Sequence, residues 1–299
     1  MTDRNNPTHI TFWGTRGSIP TPGRITEKYG GNTPCVSILY NDTYIILDAG
    51  SGVRNYGLEL NNSGIGTEKN PVSMHLFISH THWDHIHGLP FFGPAYIKGN
   101  KLAIYGSPKK GRILESILSD QMDLQYFPIT MSTLAAEICF KELSSQVVKI
   151  GDFKVDWEEQ HFHPGGSLRY RISVDGKKII YASDVELDFA FQPEKRTDET
   201  ELRAQEYLKF IDKADLLIAD GQYTGEEYQQ KQGWGHTSIP TLLEVAYKAN
   251  VKQLAIFHHD PQHSDKFLND LWSKYSNKYH AATPSMHVFW AREGLTMPI

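Results

Sequence analysis

Four side chains that can bind a metal ion lie within six residues of one another: His80, His82, Asp84 and His85. They follow an apolar run at residues 74–79, which predicts a buried strand. On an extended chain, residues two apart point to the same side, as His80 and His82 would. Neutral imidazole is the commonest metal ligand, and an added carboxylate suits zinc and other divalent ions. Four donors in so short a segment indicate two metal ions, with one pair of ligands for each.

The spacing of these donors resembles the signature of a known family. The run His80-x-His82-x-Asp84-His85-x-x-Gly88 is similar to the signature of the metallo-β-lactamase superfamily. Two Gly-rich segments, residues 14–18 and 30–33, look like the branch that contains cyclic-nucleotide and cyclic ribose-phosphate phosphodiesterases. The loop at residues 233–238 resembles the His-containing loop of the phosphodiesterase branch, which includes tRNase Z. The resemblance therefore implies a metal-dependent phosphodiesterase.

Three later segments resemble the remaining ligand positions of the family. His163 stands directly before a Pro-Gly turn. Asp184 follows a predicted strand at residues 177–182, and His258 follows a predicted strand at residues 251–257. A carboxylate can offer its oxygens to two cations, which is the role that the resemblance gives to Asp184.

The resemblance implies seven ligands for two divalent metal ions. The first ion takes His80, His82 and His163, the second takes Asp84, His85 and His258, and Asp184 bridges both. His161 lies two residues before His163 and is the rival for that position; we expect His163 because it directly precedes the turn. Zinc is the expected metal, with manganese and iron as alternatives, because ligand sets of His and carboxylate suit several metals.

Other residues are expected to act beside the metals. His236 is the predicted catalytic proton donor, and Asp84 is predicted to be catalytic as well as a ligand. Asp48 ends a predicted strand, so it either orients a metal ligand, as the resemblance implies, or serves as a helix N-cap or turn residue. Arg169 and His263 are predicted to contact the substrate, although relatives tend to have Gly at the position of Arg169.

Composition limits the classes of partner and the compartment. The chain has 299 residues, with 30 Lys and Arg against 35 Asp and Glu, giving a net charge of -5. This balance argues against a nucleic-acid partner, whose binding rests on many cationic contacts to phosphates, and favours a small phosphodiester. Cys35 and Cys139 are far apart, which indicates a reducing, cytoplasmic environment. Neither an apolar leader nor a membrane span is predicted, so no membrane partner is expected.

The many short strands, with helices concentrated in the middle and late parts of the chain, indicate an α/β or α+β fold. The resemblance implies the α/β class with an αββα sandwich, in which helices flank two mixed β-sheets. It also implies one domain over residues 1–299, with the ligands on loops where apolar strands end. A homodimer is expected because dimers are common among relatives.

The predicted reaction is hydrolysis of a small cyclic nucleotide or ribose-phosphate diester. Two metal ions roughly 3.5–4 Å apart can lower the pKa of a water molecule and so produce a hydroxide nucleophile. The first alternative is a tRNA 3′-processing endonuclease, which would be expected to carry a Lys/Arg-rich arm that we do not find in the sequence. The second alternative is a glyoxalase II-like thioester hydrolase, which would keep Asp184 but would not need the loop around His236.

Overall fold

The computed structural model describes residues 7–107, 111–144, 147–192, 197–282 and 286–299. The chain folds into two compact units. The first comprises Met1–Pro20, Asn32–Gln146 and Arg292–Pro298, and the second comprises Thr21–Gly31, Val147–Ala291 and Ile299. The prediction of one domain over residues 1–299 stays a prediction.

The first unit is built on a mixed seven-stranded sheet with the strand order β14-β1-β2-β3-β4-β5-β6. Antiparallel pairs join β14 to β1, β1 to β2 and β2 to β3, and the remaining pairs are parallel. The strands are β1 (His9–Gly14), β2 (Cys35–Tyr40), β3 (Thr43–Leu47), β4 (Ser73–Phe77), β5 (Lys101–Gly106), β6 (Glu137–Glu142) and β14 (Thr296–Pro298).

The described residues of this unit form three α-helices: α1 (Gly52–Asn62), α2 (Trp83–Ile86) and α3 (Leu114–Asp120). Short 3₁₀ turns occupy Leu89–Phe91, Gly93–Tyr96 and Met131–Thr133. One face of α1 is apolar, and its Val53, Tyr56 and Leu60 pack into the same core as the sheet residues Ile46, Leu76 and Ile104. Burial of this face accounts for the position of the helix, because packing contributes more to helix stability in proteins than intrinsic propensity does.

The second unit is built on another mixed seven-stranded sheet, with the order β13-β12-β11-β10-β9-β8-β7. The strands from β10 to β13 pair in parallel, and those from β7 to β10 pair antiparallel. The strands are β7 (Val147–Ile150), β8 (Phe153–Gln160), β9 (Ser167–Val174), β10 (Lys177–Ala182), β11 (Leu216–Asp220), β12 (Gln253–Phe257) and β13 (His287–Trp290).

The helices of the second unit are α4 (Asp188–Phe191), α5 (Asp198–Ile211), α6 (Gly225–Tyr228), α7 (Ile239–Lys248) and α8 (Asp265–Ala282). Residues of α5, α7 and α8 share one core with the parallel strands, exemplified by Phe210, Leu242, Leu268 and Leu217. The central strand β11 is buried along its whole length, as expected for a parallel strand covered on both faces.

The strands predicted at residues 74–79, 177–182 and 251–257 are confirmed as β4, β10 and β12, with boundaries that differ by at most two residues. The sequence also predicts a hairpin of residues 35–40 and 43–47 joined at Asn41 and Asp42, and the structure confirms it as β2 and β3, whose two turn residues have φ values of 46° and 59°. Positive φ at both central residues is typical of the turns that connect tight hairpins. Among the residues that the structure describes, no helix combines the length and apolarity that crossing a membrane requires.

Candidate metal centre

The first unit carries four of the predicted donors on the turn that follows β4. The imidazole rings of His80 and His82 have centroids 4.5 Å apart, and those of His80 and His85 lie 4.2 Å apart. The single turn of α2 brings together Asp84 and His85, whose potential ligand atoms lie within 4.8 Å of each other. His82 is exposed, whereas the other three are buried. The local chain therefore brings the four predicted donors close together, and their division into two pairs stays a prediction.

Asp48, at the end of β3, holds His85 in a defined orientation. One carboxylate oxygen of Asp48 lies 2.7 Å from Nδ1 of His85, and the other accepts the amide of Ser79 at 2.6 Å. β3 and β4 are parallel neighbours, so their ends bring these groups together. A carboxylate only accepts hydrogen bonds, so Nδ1 of His85 carries the proton and Nε2 becomes the donor for a metal. The role of Asp48 stays a prediction, but its contact with Nδ1 of His85 is the one that a residue orienting a metal ligand would make.

The Gly-rich loops near the N-terminus support Asp84. The amide of Ser18 donates to Oδ2 of Asp84 at 2.8 Å. The amides of Thr15 and Arg16 both donate to the carbonyl of Asn32, which ties the two loops together. The first loop therefore helps to fix the Asp84 carboxylate, and the second loop holds the first in place.

The second unit brings together the other three predicted ligands, all of them buried. Oδ1 of Asp184 lies 3.2 Å from Nε2 of His258, and Oδ2 lies 3.9 Å from Nε2 of His163. Each imidazole thus faces a different oxygen of the same carboxylate. That arrangement is the one expected of a carboxylate shared between two cations.

The hydrogen bonds at Nδ1 of these two imidazoles indicate whether their Nε2 atoms can bind a metal ion. Nδ1 of His163 lies 2.9 Å from the carbonyl oxygen of Gly235, and Nδ1 of His258 lies 3.0 Å from Oε1 of Gln222. Because both partners accept, each Nδ1 bears the proton and each neutral ring presents an Nε2 lone pair. Lone pairs facing the Asp184 carboxylate repel it unless a cation lies between them. Nitrogen and carboxylate donors in this arrangement fit a divalent metal ion.

Three of these residues have backbone conformations that cost energy. Asp48, Asp184 and His258 each follow a strand directly or closely, and their φ values are 59°, 53° and 62°. Positive φ is uncommon for residues other than glycine and costs on the order of 1–3 kcal/mol each. Backbone strain of this kind concentrates at functional sites, where the surrounding structure holds it in place.

His236 forms a second buried pair beside these ligands. Its Nδ1 lies 2.8 Å from Oδ2 of Asp220, the last residue of β11. Its ring stacks on that of His258 with centroids 5.0 Å apart. Burial raises the pKa of the Asp220 carboxyl, whereas the hydrogen bonds that it accepts from Nδ1 of His236 and from the amide of Gln222 favour its charged form. The geometry supplies an imidazole oriented by a carboxylate, which is the arrangement of a proton donor or acceptor.

The structure distinguishes the two histidines that compete for the third ligand position. His163 is buried against Asp184, whereas His161 is exposed and does not belong to the donor groups of the described residues. The turn after His163 brings its ring against the main chain of Gly235, where a Cβ atom would collide with it. The geometry therefore favours His163.

Both predicted substrate-binding side chains are engaged within the second unit. The Arg169 guanidinium lies 2.5 Å from the Glu158 carboxylate and 5.0 Å from the ring centroid of Phe210. Nε2 of His263 lies 2.8 Å from Oε1 of Glu227. These contacts give Arg169 and His263 a role in holding the second unit together. That either side chain contacts the substrate stays a prediction.

Three buried residues of this site were missed in the sequence. Asp220 is the last residue of an apolar strand and Asp48 directly follows one, and this similar position is the signal that could have revealed Asp220. Gln222, which orients His258, and Glu186, which binds the loop around His236, carry no local signal. Their partners lie 36 and 49 residues away in the chain.

Comparisons with known proteins agree with this fold. Ribonuclease Z of Picrophilus torridus is 24% identical to this chain over 90% of the chain and 92% of that protein. The metallo-β-lactamase fold protein YhfI of Bacillus subtilis superposes with a TM-score of 0.66 at 18% identity, covering 98% of this chain and 99% of that one. Human tRNase Z, short form, superposes with a TM-score of 0.63 at 18% identity, covering 97% and 99%.

The predicted fold class is confirmed by these superpositions and by the two mixed sheets with their helices. Residues 43–259 match the model of the family described as "Beta-lactamase superfamily domain". That match spans well over half of the 299 residues. The chain therefore belongs to the β-lactamase superfamily, in its metal-dependent branch of hydrolases.

Proposed function

We propose that this hydrolase cleaves phosphodiester bonds in RNA, as the ribonuclease Z relatives do by name. The observation that carries the proposal is the buried pair of His236 and Asp220 beside Asp184 and His258. A ribose oxygen leaves poorly unless it receives a proton, so its departure calls for a positioned acid. A thiol, with an ordinary pKa of about 8.5, leaves readily as an anion and has less need of one. The pair therefore favours a phosphodiester over a thioester.

The comparisons support the tRNA-processing alternative better than the small cyclic diester that the sequence favoured. Ribonuclease Z of Picrophilus torridus matches over most of both chains. Human tRNase Z shares the fold over nearly the whole length. These relatives also count against the expectation that nucleic acid is not a partner. A homodimer and a cytoplasmic location stay predictions.

We propose that two divalent metal ions take part, held by the seven expected ligands. His80, His82 and His163 would hold one ion, Asp84, His85 and His258 the other, and Asp184 both. The donor pairs within each unit and the facing of imidazole Nε2 atoms toward the Asp184 carboxylate support this assignment. Zinc suits the mixed nitrogen and oxygen donors, and manganese or iron are the alternatives. Bound metal ions would polarise the phosphoryl group and make water a nucleophile at neutral pH.

The proton for the leaving oxygen would come from His236. Asp220 accepts a hydrogen bond from Nδ1, so Nε2 of the charged ring carries the proton that can be transferred. The carboxylate also stabilises the charged form of the ring before transfer. The amide of Gly235 is bound by the Glu186 carboxylate at 2.9 Å, which fixes the main chain that carries His236.

A small phosphodiester, such as a cyclic nucleotide, is the second candidate substrate. The net charge of -5 favours it, because affinity for a long nucleic acid depends on many Lys and Arg contacts to phosphates. A small diester carries one phosphate, whose charge the metal ions alone can neutralise.

The substrate test compares five kinds of substrate on protein loaded with zinc or manganese. They are a tRNA precursor with a 3′ trailer, the 2′,3′- and 3′,5′-cyclic nucleotides, bis-p-nitrophenyl phosphate and S-lactoylglutathione. The doubly substituted Asp84→Ala, His85→Ala protein is the control. Cleavage of the precursor by the unchanged protein, but not by the control, supports the proposal. Cleavage of cyclic nucleotides alone selects the second candidate. Cleavage of the thioester alone would overturn both.

Substituting Asp48 by asparagine is expected to weaken metal binding by roughly 10- to 100-fold, the usual effect of losing a partner that orients a ligand. The asparagine side chain is neutral and cannot match the charged acceptor at 2.7 Å from Nδ1 of His85. Titration with a competing chelator measures the change.

Asp42→Asn is the matched control for this substitution. Asp42 has the same φ of 59° as Asp48 but is exposed in the turn between β2 and β3. Asparagine tolerates this conformation well, so neither substitution strains the backbone. Equal metal affinity in the two variants would contradict an orienting role for Asp48.

A further inference from the structure

The loop that carries His236 also displays a large aromatic side chain. Trp234 is 61% exposed, two residues before His236 in the chain. An exposed indole offers a large, flat aromatic face to a ligand that approaches from solvent. Two residues span at most about 7 Å of chain, so the indole and the His236 ring arise from neighbouring points of one turn.

The main chain around Trp234 is fixed from both sides by one buried carboxylate. Glu186, which is 2% exposed, accepts the amide of Gly233 at 2.8 Å and the amide of Gly235 at 2.9 Å. The hydroxyl of Tyr228 donates to the same carboxylate at 2.6 Å. These bonds hold the residues directly before and directly after Trp234, so the main chain that carries the indole is fixed.

The two glycines beside Trp234 are required by this geometry. Gly233 and Gly235 have φ values of 83° and 88°, which other residues rarely adopt. A Cβ atom at Gly235 would also collide with the ring of His163 and with Pro164. The loop is therefore held against the proposed ligand His163, and its Trp234 remains exposed to solvent.

A cation lies near the indole, although its charge is already compensated. Nζ of Lys231 is 5.9 Å from the Trp234 ring centroid and 4.4 Å from that of Tyr223. The same Nζ lies 2.9 Å from Oδ2 of Asp260, a buried carboxylate. Because Lys231 is paired with Asp260, the exposed indole rather than the cation is the group expected to bind a flat, uncharged ring of a ligand.

We infer that Trp234 is a surface on which a nucleobase next to the cleaved phosphodiester stacks, an inference that rests on the proposed function. Every base has a π-face, so an aromatic side chain binds bases with little regard to their identity. A main chain already held in place by the Glu186 carboxylate loses little conformational entropy when the loop binds a ligand. The indole thus adds affinity for a nucleoside to a site whose metal ligands recognise only the phosphate.

The test pairs substrates with and without a base. Whichever diester the protein cleaves is compared with its base-free counterpart: an RNA with an abasic ribose beside the cleavage position, or a cyclic ribose phosphate. Trp234→Ala is expected to lower kcat/KM for the base-containing substrate by about 5- to 150-fold, the range that stacking of one base provides. For the base-free substrate, kcat/KM is expected to stay unchanged.

Further variants separate stacking from bulk and from folding. Trp234→Phe keeps an aromatic face and is expected to retain most of the effect, whereas Trp234→Leu keeps apolar bulk and is expected to behave like alanine. Tyr247→Ala removes another exposed aromatic ring, 50% exposed on α7, and serves as the matched control. An equal loss on both substrates, or a Leu variant as good as Phe, would overturn the inference.

A binding measurement makes the outcome independent of turnover. Nuclear magnetic resonance titration with cytidine monophosphate and with ribose 5-phosphate reports affinity for a nucleotide with and without its base. The unchanged protein is expected to prefer the nucleotide, and Trp234→Ala to lose that preference. If no diester is cleaved, the proposed function fails; if diesters are cleaved but neither preference depends on Trp234, only the stacking role fails.

Discussion

Replacing His236 by asparagine is expected to lower kcat for a substrate with a ribose leaving group by about 10²- to 10⁴-fold, the contribution typical of a general acid. The asparagine amide can still donate to Asp220, which lies 2.8 Å from Nδ1 of His236, so the buried carboxylate keeps a partner. The new side chain cannot release a proton to the leaving oxygen. Steady-state kinetics on a ribonucleotide diester measure the loss.

The leaving group provides the control for this substitution. p-Nitrophenolate departs as a stable anion and has little need of an acid. His236→Asn is therefore expected to lower kcat for bis-p-nitrophenyl phosphate much less than kcat for the ribonucleotide diester. A purely structural role would slow both substrates equally, and that result would contradict proton donation. Metal content and far-ultraviolet circular dichroism of the variant should match those of the unchanged protein, because His236 is not among the proposed ligands.

Replacing Asp184 by asparagine is expected to abolish turnover and to weaken metal binding by more than about 100-fold. Loss of a residue that only orients a metal ligand weakens binding by about 10- to 100-fold, and loss of a ligand itself is expected to cost more. The Asp184 carboxylate faces Nε2 of His258 at 3.2 Å and Nε2 of His163 at 3.9 Å. An amide is neutral and has only one oxygen, so it cannot compensate the charge of two cations. Elemental analysis of purified protein gives the number of metal ions bound per chain.

Asp175→Asn is the matched control. Asp175 lies in the exposed turn between β9 and β10 and has a φ of 50°, close to the 53° of Asp184. Both substitutions remove one negative charge at a left-handed position that asparagine tolerates. An Asp184→Asn protein that kept two metal ions and its turnover would rule out the bridging role.

The arrangement of donors that lie close together in the chain could be predicted from the sequence. The alternation of His80 and His82 and the turn through Asp84 and His85 depend on strand and helix geometry within a few residues. The β2–β3 hairpin was predictable for the same reason, since its turn residues adopt the conformations that a tight connection requires. Direction and spacing over such short stretches follow from backbone geometry alone.

The partners of these donors depend on strand order, which short-range patterns do not contain. In the second unit, β10, β11 and β12 are parallel neighbours, with Ala182 opposite Ala219 and Asp220 opposite Phe257. Because parallel strands end at the same edge of a sheet, this register brings together the segments that bear Asp184, Asp220 and His258. Asp220 was missed because its importance comes from that register.

The sequence by itself determined the family, the metal-binding motif, the fold class and most strand positions, because each depends on residue type and on spacing over a few residues. Tertiary structure decided that Asp220 orients His236, that His163 rather than His161 faces Asp184, and that Glu186 holds the loop around Trp234. These contacts join residues up to 49 positions apart. Such contacts depend on which strands pair and where each ends, and a single sequence does not specify that register.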